Sequence, residues 1–426
     1  MRPIESAPPG EPTVAPAPEV PLIRNTAFQL LWISRFIASI GKETADVAYP
    51  LLILATTGSA AYAGAVGSTE IAVAGLVAFT GGTLSDRVNR RGLLVVCDLA
   101  RLVMLALFAA LVATHHARIP VVFAIVVGAG FCLGLSDPPT AAAIKHLVPP
   151  SQLTKAITQS QIRPLGATVV GSPLGSSLFG IAAALPFLAT ALSFAFSSAL
   201  LLLIRRPMQA ARAVHAGPRR IGEGLRFVAR QPVLRGWIIW IMGSNLAFNH
   251  VGAFLALIAT ARERHASASE IGLMLGIAGS GGLLGALIAR WAIGRLGPST
   301  ILLIAAWSGP VAAVLLIFTP GTVSLGVILA AVFLRGPAVN ALFYSYVTAL
   351  APDRVQGRDI GAVTALSYIA QPIGIIGIGM IFDAGGPRWV FTVIGLVSAL
   401  AALPTLSRGI RRMPGPDDLT PDPVRG

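Results

Sequence analysis

Gly82-Thr83-Leu84-Ser85-Asp86-Arg87-Val88-Asn89-Arg90-Arg91 crowds Asp86, Arg87, Arg90 and Arg91 into a short turn between two long apolar runs. In a chain this apolar, a charged hairpin with a glycine at its entry is the pattern of a cytoplasmic loop joining two membrane helices. Asn89 is the most permissive residue of the turn after glycine, and is expected to take a left-handed backbone there.

The flanking sequence supports that reading. Hydrophobic residues make up 54% of the 426, and only 12% are charged, against about 25% charged in an ordinary soluble domain. The mean hydropathy is +0.76. The chain reads as an all-α integral membrane protein. A formal charge of +14 would point to nucleic acid in a soluble protein, so the placement of the basic residues decides. Arg87, Arg90, Arg91, Lys145, Lys155, Arg205, Arg206, Arg219, Arg220, Arg354 and Arg358 fall in alternate gaps between apolar runs. This positive-inside bias sets both termini in the cytoplasm and leaves no need for a nucleic-acid partner. Cys97 and Cys132 lie inside apolar runs, where a thiol behaves as a small apolar group rather than a disulfide partner.

A run of about 20 apolar residues crosses a bilayer, and about twelve such runs begin near Phe28, Ala61, Leu93, Val121, Leu153, Ala183, Trp237, Ile271, Ile301, Val323, Ile360 and Trp389. The longest interruption separates six from six. The expected organisation is a cytoplasmic tail (1–24), an N-terminal six-helix half (25–204), a linker (205–235), a C-terminal six-helix half (236–408) and a second tail (409–426). Within the linker, Ile221 to Arg230 has its large apolar residues largely on one helical face, as expected of a helix lying on the membrane surface.

The halves share a register. Gly285, opening Gly285-Ala286-Leu287-Ile288-Ala289-Arg290, stands 203 positions after Gly82. Pro352 and Arg358 stand 203 after Pro149 and Lys155, and Gly374 stands 203 after Gly171. Several landmarks at one offset imply a parallel internal repeat, with a solute site between the halves near mid-membrane.

The hairpin resembles the loop between the second and third helices of the major facilitator superfamily, in which a Gly, three residues, an Asp, a basic residue, one residue, a Gly and two basic residues recur. Asn89 takes the place of the second Gly. Gly222-Glu223-Gly224-Leu225-Arg226-Phe227 with Pro232-Val233-Leu234-Arg235, and Pro352-Asp353-Arg354-Val355-Gln356-Gly357-Arg358, resemble segments of its bacterial exporter branch for macrolides and siderophores. The resemblance covers about Phe28 to Leu406. It implies a monomeric transporter in the bacterial cytoplasmic membrane that needs no cofactor beyond a proton gradient and moves an amphipathic small molecule outward. It also implies a conformational switch at Gly82, Asp86, Arg87, Arg90 and Arg91; Asp137, before Pro138 and Pro139 near the cytoplasmic end of the fourth helix, is placed to partner the Arg87 to Arg91 cluster. Two rivals stay open: an importer or facilitator on the same fold, and a membrane receptor or scaffold that transports nothing.

A charge inside a membrane costs about 2.5 to 3.5 kcal/mol on insertion scales, so each needs a partner or a task. Arg35, Lys42 and Asp46 share one face of the first helix, within about 40° of each other, with Glu43 turned some 60° away. Lys42 and Asp46 can pair one turn apart. At the repeat offset Lys42 and Asp46 map onto Asn245 and Asn249, while Glu43 and Glu70 map onto Leu246 and Leu273. Carboxylates are thus concentrated in the first half, as expected if Glu43, Asp46 and Glu70 carry a proton switch; the alternative is a set of ion pairs that lock helices together. Gly166, Gly171, Pro173 and Gly175 on the fifth helix partly resemble the Gly-Pro motif of antiporters, with Ser172 interposed, and also suit close helix packing. Arg35, Lys42, Gln159, Gln161, Arg163, Asn245, Asn249, Arg335, Asn340 and Gln371 are the candidate lining of a solute cavity, with His250 a further scattered polar residue. Asp98 and Arg101, three apart on the third helix, are expected to pair. The sequence has no phosphate-cradling glycine loop, no metal-ligand cluster and no nucleophile–base pair, so neither an enzyme nor a metal site is expected.

Overall fold

The computed structural model of the protein describes residues 21–209, 232–350, 356–411 and 413; the side chains of 79–87, 232, 233, 347–350 and 356–368 are not part of that description. The expected surface helix in the linker, the two tails before Pro21 and after Met413, and Pro352 to Arg354 lie outside it.

Among the described residues there is no strand. The helices are α1 Thr26–Thr57, α2 Ala60–Arg87, α3 Arg90–Ala113, α4 Ile119–Leu147, α5 Leu153–Ile181, α6 Leu185–Leu203, α7 Pro232–Phe248, α8 His250–Glu263, α9 Ala268–Leu296, α10 Pro298–Phe318, α11 Thr322–Leu334, α12 Gly336–Leu350, α13 Gln356–Ala402 and the short α14 Arg408–Arg411. Apart from α8, α12 and α14, each begins within about five residues of the start of an apolar run read from the sequence. Nine stretches among the described residues are long and apolar enough to cross a membrane. One of them, Ile369–Leu406, folds back on itself at Gly386, whose φ of 72° and ψ of −168° suit only glycine, and so supplies two crossings. The charged α1 and the polar α5 complete twelve. α7 with α8 forms one crossing broken at Asn249, and α11 with α12 forms another interrupted at Arg335, two residues before Pro337 removes a backbone donor.

The repeat is visible in the packing. In the first half α1 lies against α5 and α6, α2 against α4, and α3 against α6; in the second, α7 and α8 lie against α13, α9 against α11, and α10 against α13. A Cβ on Gly171 would come 2.6 Å from Glu43 Cβ, and one on Gly374 would come 2.1 Å from the carbonyl oxygen of Leu246, so two repeat-related glycines admit two repeat-related backbones. With no hydrophobic force between helices in lipid, such close approach supplies the packing that holds them.

The halves meet along α2 with α13 and α5 with α9. We call the side where α1 begins the near side, and the side where it ends, at Gly58, the far side. Toward the far side one apolar core runs through both halves, including Tyr49, Phe108, Phe187, Phe254, Ile271 and Phe391. Toward the near side the described cores are separate. Phe28, Leu31, Leu94, Ile144 and Leu201 belong to the first half, and Trp237, Leu302, Phe343 and Tyr346 to the second. Among the described residues, the apolar core is therefore continuous on the far side and divided on the near side.

Candidate functional site

Where the hairpin was expected to bend through a left-handed Asn89, the structure differs. Asn89 has φ −64° and ψ 113°, and its side chain accepts the Gly92 N–H at 3.2 Å as the N-cap of α3. Asn serves here by capping the helix, a task for which it ranks among the best residues. The Arg90 guanidinium donates to the Met208 carbonyl at 3.2 Å and Arg91 to the Leu202 carbonyl at 2.5 Å, anchoring the start of α3 to the end of α6. The side chains of Asp86 and Arg87 are outside the described residues, and Asp137 is exposed on α4.

The embedded charges around α1 form three groups. Deep in the first half, Asp98 of α3 is fully buried and binds both guanidinium nitrogens of Arg35 and, at 2.7 Å, the Ser197 hydroxyl. This corrects the expected pair of Asp98 with Arg101. Arg101 instead donates toward the Ala129 carbonyl at 3.4 Å, with its guanidinium 5.1 Å from the Phe194 ring. The fork of Arg35 accepts a bidentate carboxylate, and that geometry outweighs nearness in sequence. Arg35 is thus packed between α1, α3 and α6, not set on a cavity wall.

About two turns further along α1, Lys42 Nζ lies 2.5 Å from Asp46 and 3.9 Å from Glu70 of α2. These residues border a cleft closed by Tyr49, Val66, Val251, Leu255 and Ile375, so side chains from both halves wall it. Its volume, about 20 Å³, holds one water by the usual requirement of roughly 10–15 Å³. Drug-sized ligands need about 300–1,000 Å³. The cleft suits water and protons, and a larger solute requires the divided near side. The Tyr49 hydroxyl, at the rim of this cleft, has no hydrogen bond. Sequence reasoning did not single it out, because a Tyr in an apolar run looks like core.

Glu43 points elsewhere, toward His250 of α8, with 3.6 Å between Oε2 and Nε2. Asn249 is buried and caps α8, its Oδ1 accepting the Gly252 N–H at 2.7 Å. Arg335 donates to the Ala305 carbonyl at 2.5 Å and lies 5.5 Å from the Trp240 ring, inside the second half. Gln161 and Asn340 are exposed, while Gln159, Arg163, Asn245 and Gln371 are half-buried. The Gln159 carbonyl accepts the Trp32 indole N–H at 3.0 Å. Gly166 packs on Phe36, Gly171 and Gly175 on the α1 backbone, and Pro173 on Gly272 and Gly276 of α9. Among the described residues no three His, Cys, Asp or Glu side chains converge as metal ligands.

Two six-helix halves, paired helix for helix and joined along α2 with α13 and α5 with α9 around a charged interior, define a solute transporter of the two-half repeat type. The chain belongs to the Major Facilitator Superfamily, whose profile it matches over residues 31–374 and 246–425. It is 28% identical over 393 residues to the multidrug efflux pump Tap of Mycolicibacterium fortuitum, spanning 86% of this chain and 92% of that protein. To the pump of the same name from Mycobacterium tuberculosis it is 24% identical over 396 residues, spanning 88% and 91%. In fold it resembles the nucleoside transporter NupG, with a TM-score of 0.69 at 14% identity over 89% of this chain and 98% of that one. It also resembles an inward-facing bacterial homologue of the iron transporter ferroportin, with a TM-score of 0.64 at 16% identity over 91% and 99%. The protein is thus a multi-pass membrane transporter of a family that needs no cofactor.

Proposed function

We propose that the protein exports amphipathic small molecules, antibiotics among them, across the bacterial cytoplasmic membrane in exchange for protons, with both termini in the cytoplasm. The observation that carries this reading is the set of three embedded carboxylates: Asp46 and Glu70 around Lys42 at a cleft too small for a drug, and Glu43 turned toward His250 beside it. Embedded ionisable groups are costly and mark proton or substrate pathways. The likeness to the Tap pumps supplies the direction and the solute class. On this topology the near side faces the cytoplasm, so the described state receives solute from inside. Gln159, Gln161, Asn245, Asn340 and Gln371 lie on the helices that would bound the solute, and rocking of the halves would expose it alternately. The hairpin with Asp86 would control that rocking, so Asp86→Asn is expected to impair transport and leave the protein in the membrane.

The test uses proteoliposomes with ethidium as the probe and an imposed pH gradient. The wild type is expected to concentrate ethidium. Glu43→Gln is expected to bind and exchange it without concentrating it. Normal accumulation by Glu43→Gln would move the proton site to Glu70. Normal accumulation by Glu70→Gln as well would reduce these charges to structural pairs. A wild type that equilibrates ethidium, yet never concentrates it, would overturn proton coupling.

A further inference from the structure

Glu43 stands on a different face of α1 from Lys42 and Asp46, and that face looks across the boundary between the halves. Its Oε2 lies 3.6 Å from His250 Nε2, and neither atom has a hydrogen-bond partner. His250 is held in place. It is the first residue of α8 after the break that the Asn249 cap enforces. Its ring packs 4.3 Å from Phe254 and 5.9 Å from Phe333, centre to centre. The imidazole therefore projects from a helix N-terminus, an end whose dipole favours a nearby carboxylate.

The repeat makes the arrangement one-sided. At the 203-residue offset Glu43 corresponds to Leu246 and His250 to Val47, which is wholly buried in the apolar core. No mirror-image acid and base can form, so each half contributes one member. Other charges near the pair come from α1, as Lys42 and Asp46, and from α2, as Glu70. On the helices packed against α8, the remaining described ionisable residues stand toward helix ends. They are Arg235 on α7, Glu270, Arg290 and Arg295 on α9, Arg335 after α11, and Asp383 and Arg388 on α13, besides Arg35 and Tyr49 on α1, which are buried, and Tyr62 near the start of α2.

We propose that His250 is a positioning residue for proton coupling, the second-half counterpart of Glu43, and that the Glu43–His250 contact holds the far side shut until Glu43 takes up a proton. This rests on the proton-coupled reading above. With His250 protonated and Glu43 ionised, the two attract across the boundary. A proton added to Glu43 Oε2 converts the carboxylate to a carboxylic acid, leaves the imidazolium as it was, and removes the attraction. The halves then separate at this level.

The test reads the far-side opening directly, by spin-label distances between α2 and α13 in nanodiscs, without any gradient. In the wild type the open fraction is expected to rise by about ten-fold as the pH falls from roughly 8 to 5, because proton uptake at Glu43 removes the attraction. In His250→Gln, which keeps a polar side chain but cannot ionise, that dependence is expected to flatten, with ethidium affinity within about two-fold of wild type. His250→Gln is also expected to add nothing to Glu43→Gln. A wild-type pH dependence retained in His250→Gln, or full additivity of the two variants, would overturn the proposal. A flat wild-type response would overturn it too. If instead the wild type opens with pH but never concentrates ethidium on a pH gradient, the transport reading fails and the contact stands.

Discussion

The carboxylate of Asp383, near the end of the second half, caps a helix of the first half: it accepts the Ala60 N–H at 2.7 Å and the Ala61 N–H at 3.0 Å. The Ser59 hydroxyl donates to it as well, at 2.5 Å. A helix N-terminus is normally capped from its own chain neighbourhood, as Ser267 and Glu270 do for α9. Here the cap is shared between bodies that must part if the far side is to open. Loss of an N-cap costs about 0.5–2 kcal/mol, or roughly two- to thirty-fold in a two-state ratio. Asp383→Ala is therefore expected to raise the far-side-open population by that factor, read as accessibility of a cysteine at Ala63, buried on α2 in the closed state, to an impermeant thiol reagent. Unchanged accessibility would show that the cap does not hold the gate.

The buried pair of Arg35 and Asp98 gives a prediction about folding. Removing one member of a buried ion pair leaves the other charge uncompensated, a cost of about 3–5 kcal/mol. Asp98→Asn is expected to lower thermal stability in detergent sharply, and Arg35→Met with Asp98→Leu to recover most of it. If Arg101→Met were as damaging as Asp98→Asn, the assignment of Arg35 as the partner would fail.

Two glycines on α13 form an internal control. A Cβ at Gly374 would meet the Leu246 carbonyl oxygen at 2.1 Å, whereas one at Gly377 would meet nothing within 4 Å. Overpacking a tight contact costs about 1–3 kcal/mol. Gly374→Ala is expected to lose that much stability and Gly377→Ala almost none. Equal effects would mean that the α13 contact with α7 is not the limiting approach.

Topology is testable without purification. Reporter fusions after Gly58 and after Gly297 are expected to read as external and cytoplasmic respectively, because the basic residues fall in alternate loops. A cytoplasmic signal after Gly58 would invert the orientation.

Much of this architecture is local information. The twelve crossings follow from the length of apolar runs, and Lys42 with Asp46 from helical spacing. The repeat follows from a single offset, and the matched contacts of Gly171 and Gly374 express it. What escaped the sequence is long-range. Arg35 and Asp98 are separated by 63 positions, and Asp383 and Ala60 by 323; periodicity along one helix carries no signal about either pair. The same limit favoured Arg101 as the partner of Asp98, since it was the nearest cation in the chain. Asn89 departs from expectation for another reason: Asn suits both a left-handed turn and an N-cap, and only the backbone angles separate them.

The break at Asn249 makes the two halves mechanically unlike. In the first half α1 runs unbroken from Thr26 to Thr57, with Arg35, Lys42, Glu43 and Asp46 all fastened along one rod. In the second, the equivalent crossing is two shorter rods meeting at a joint, and the crossing through Arg335 is interrupted as well. A continuous rod transmits a push on any one of its residues to both of its ends. A jointed one can yield at the joint and conform to whatever presses on it. If the proton-coupled reading proposed above holds, the division of labour is between a continuous α1 that senses the proton and a jointed crossing that adapts to cargo, so changes in cargo range are expected to map to the faces around Asn249 and Arg335, and changes in drive to α1.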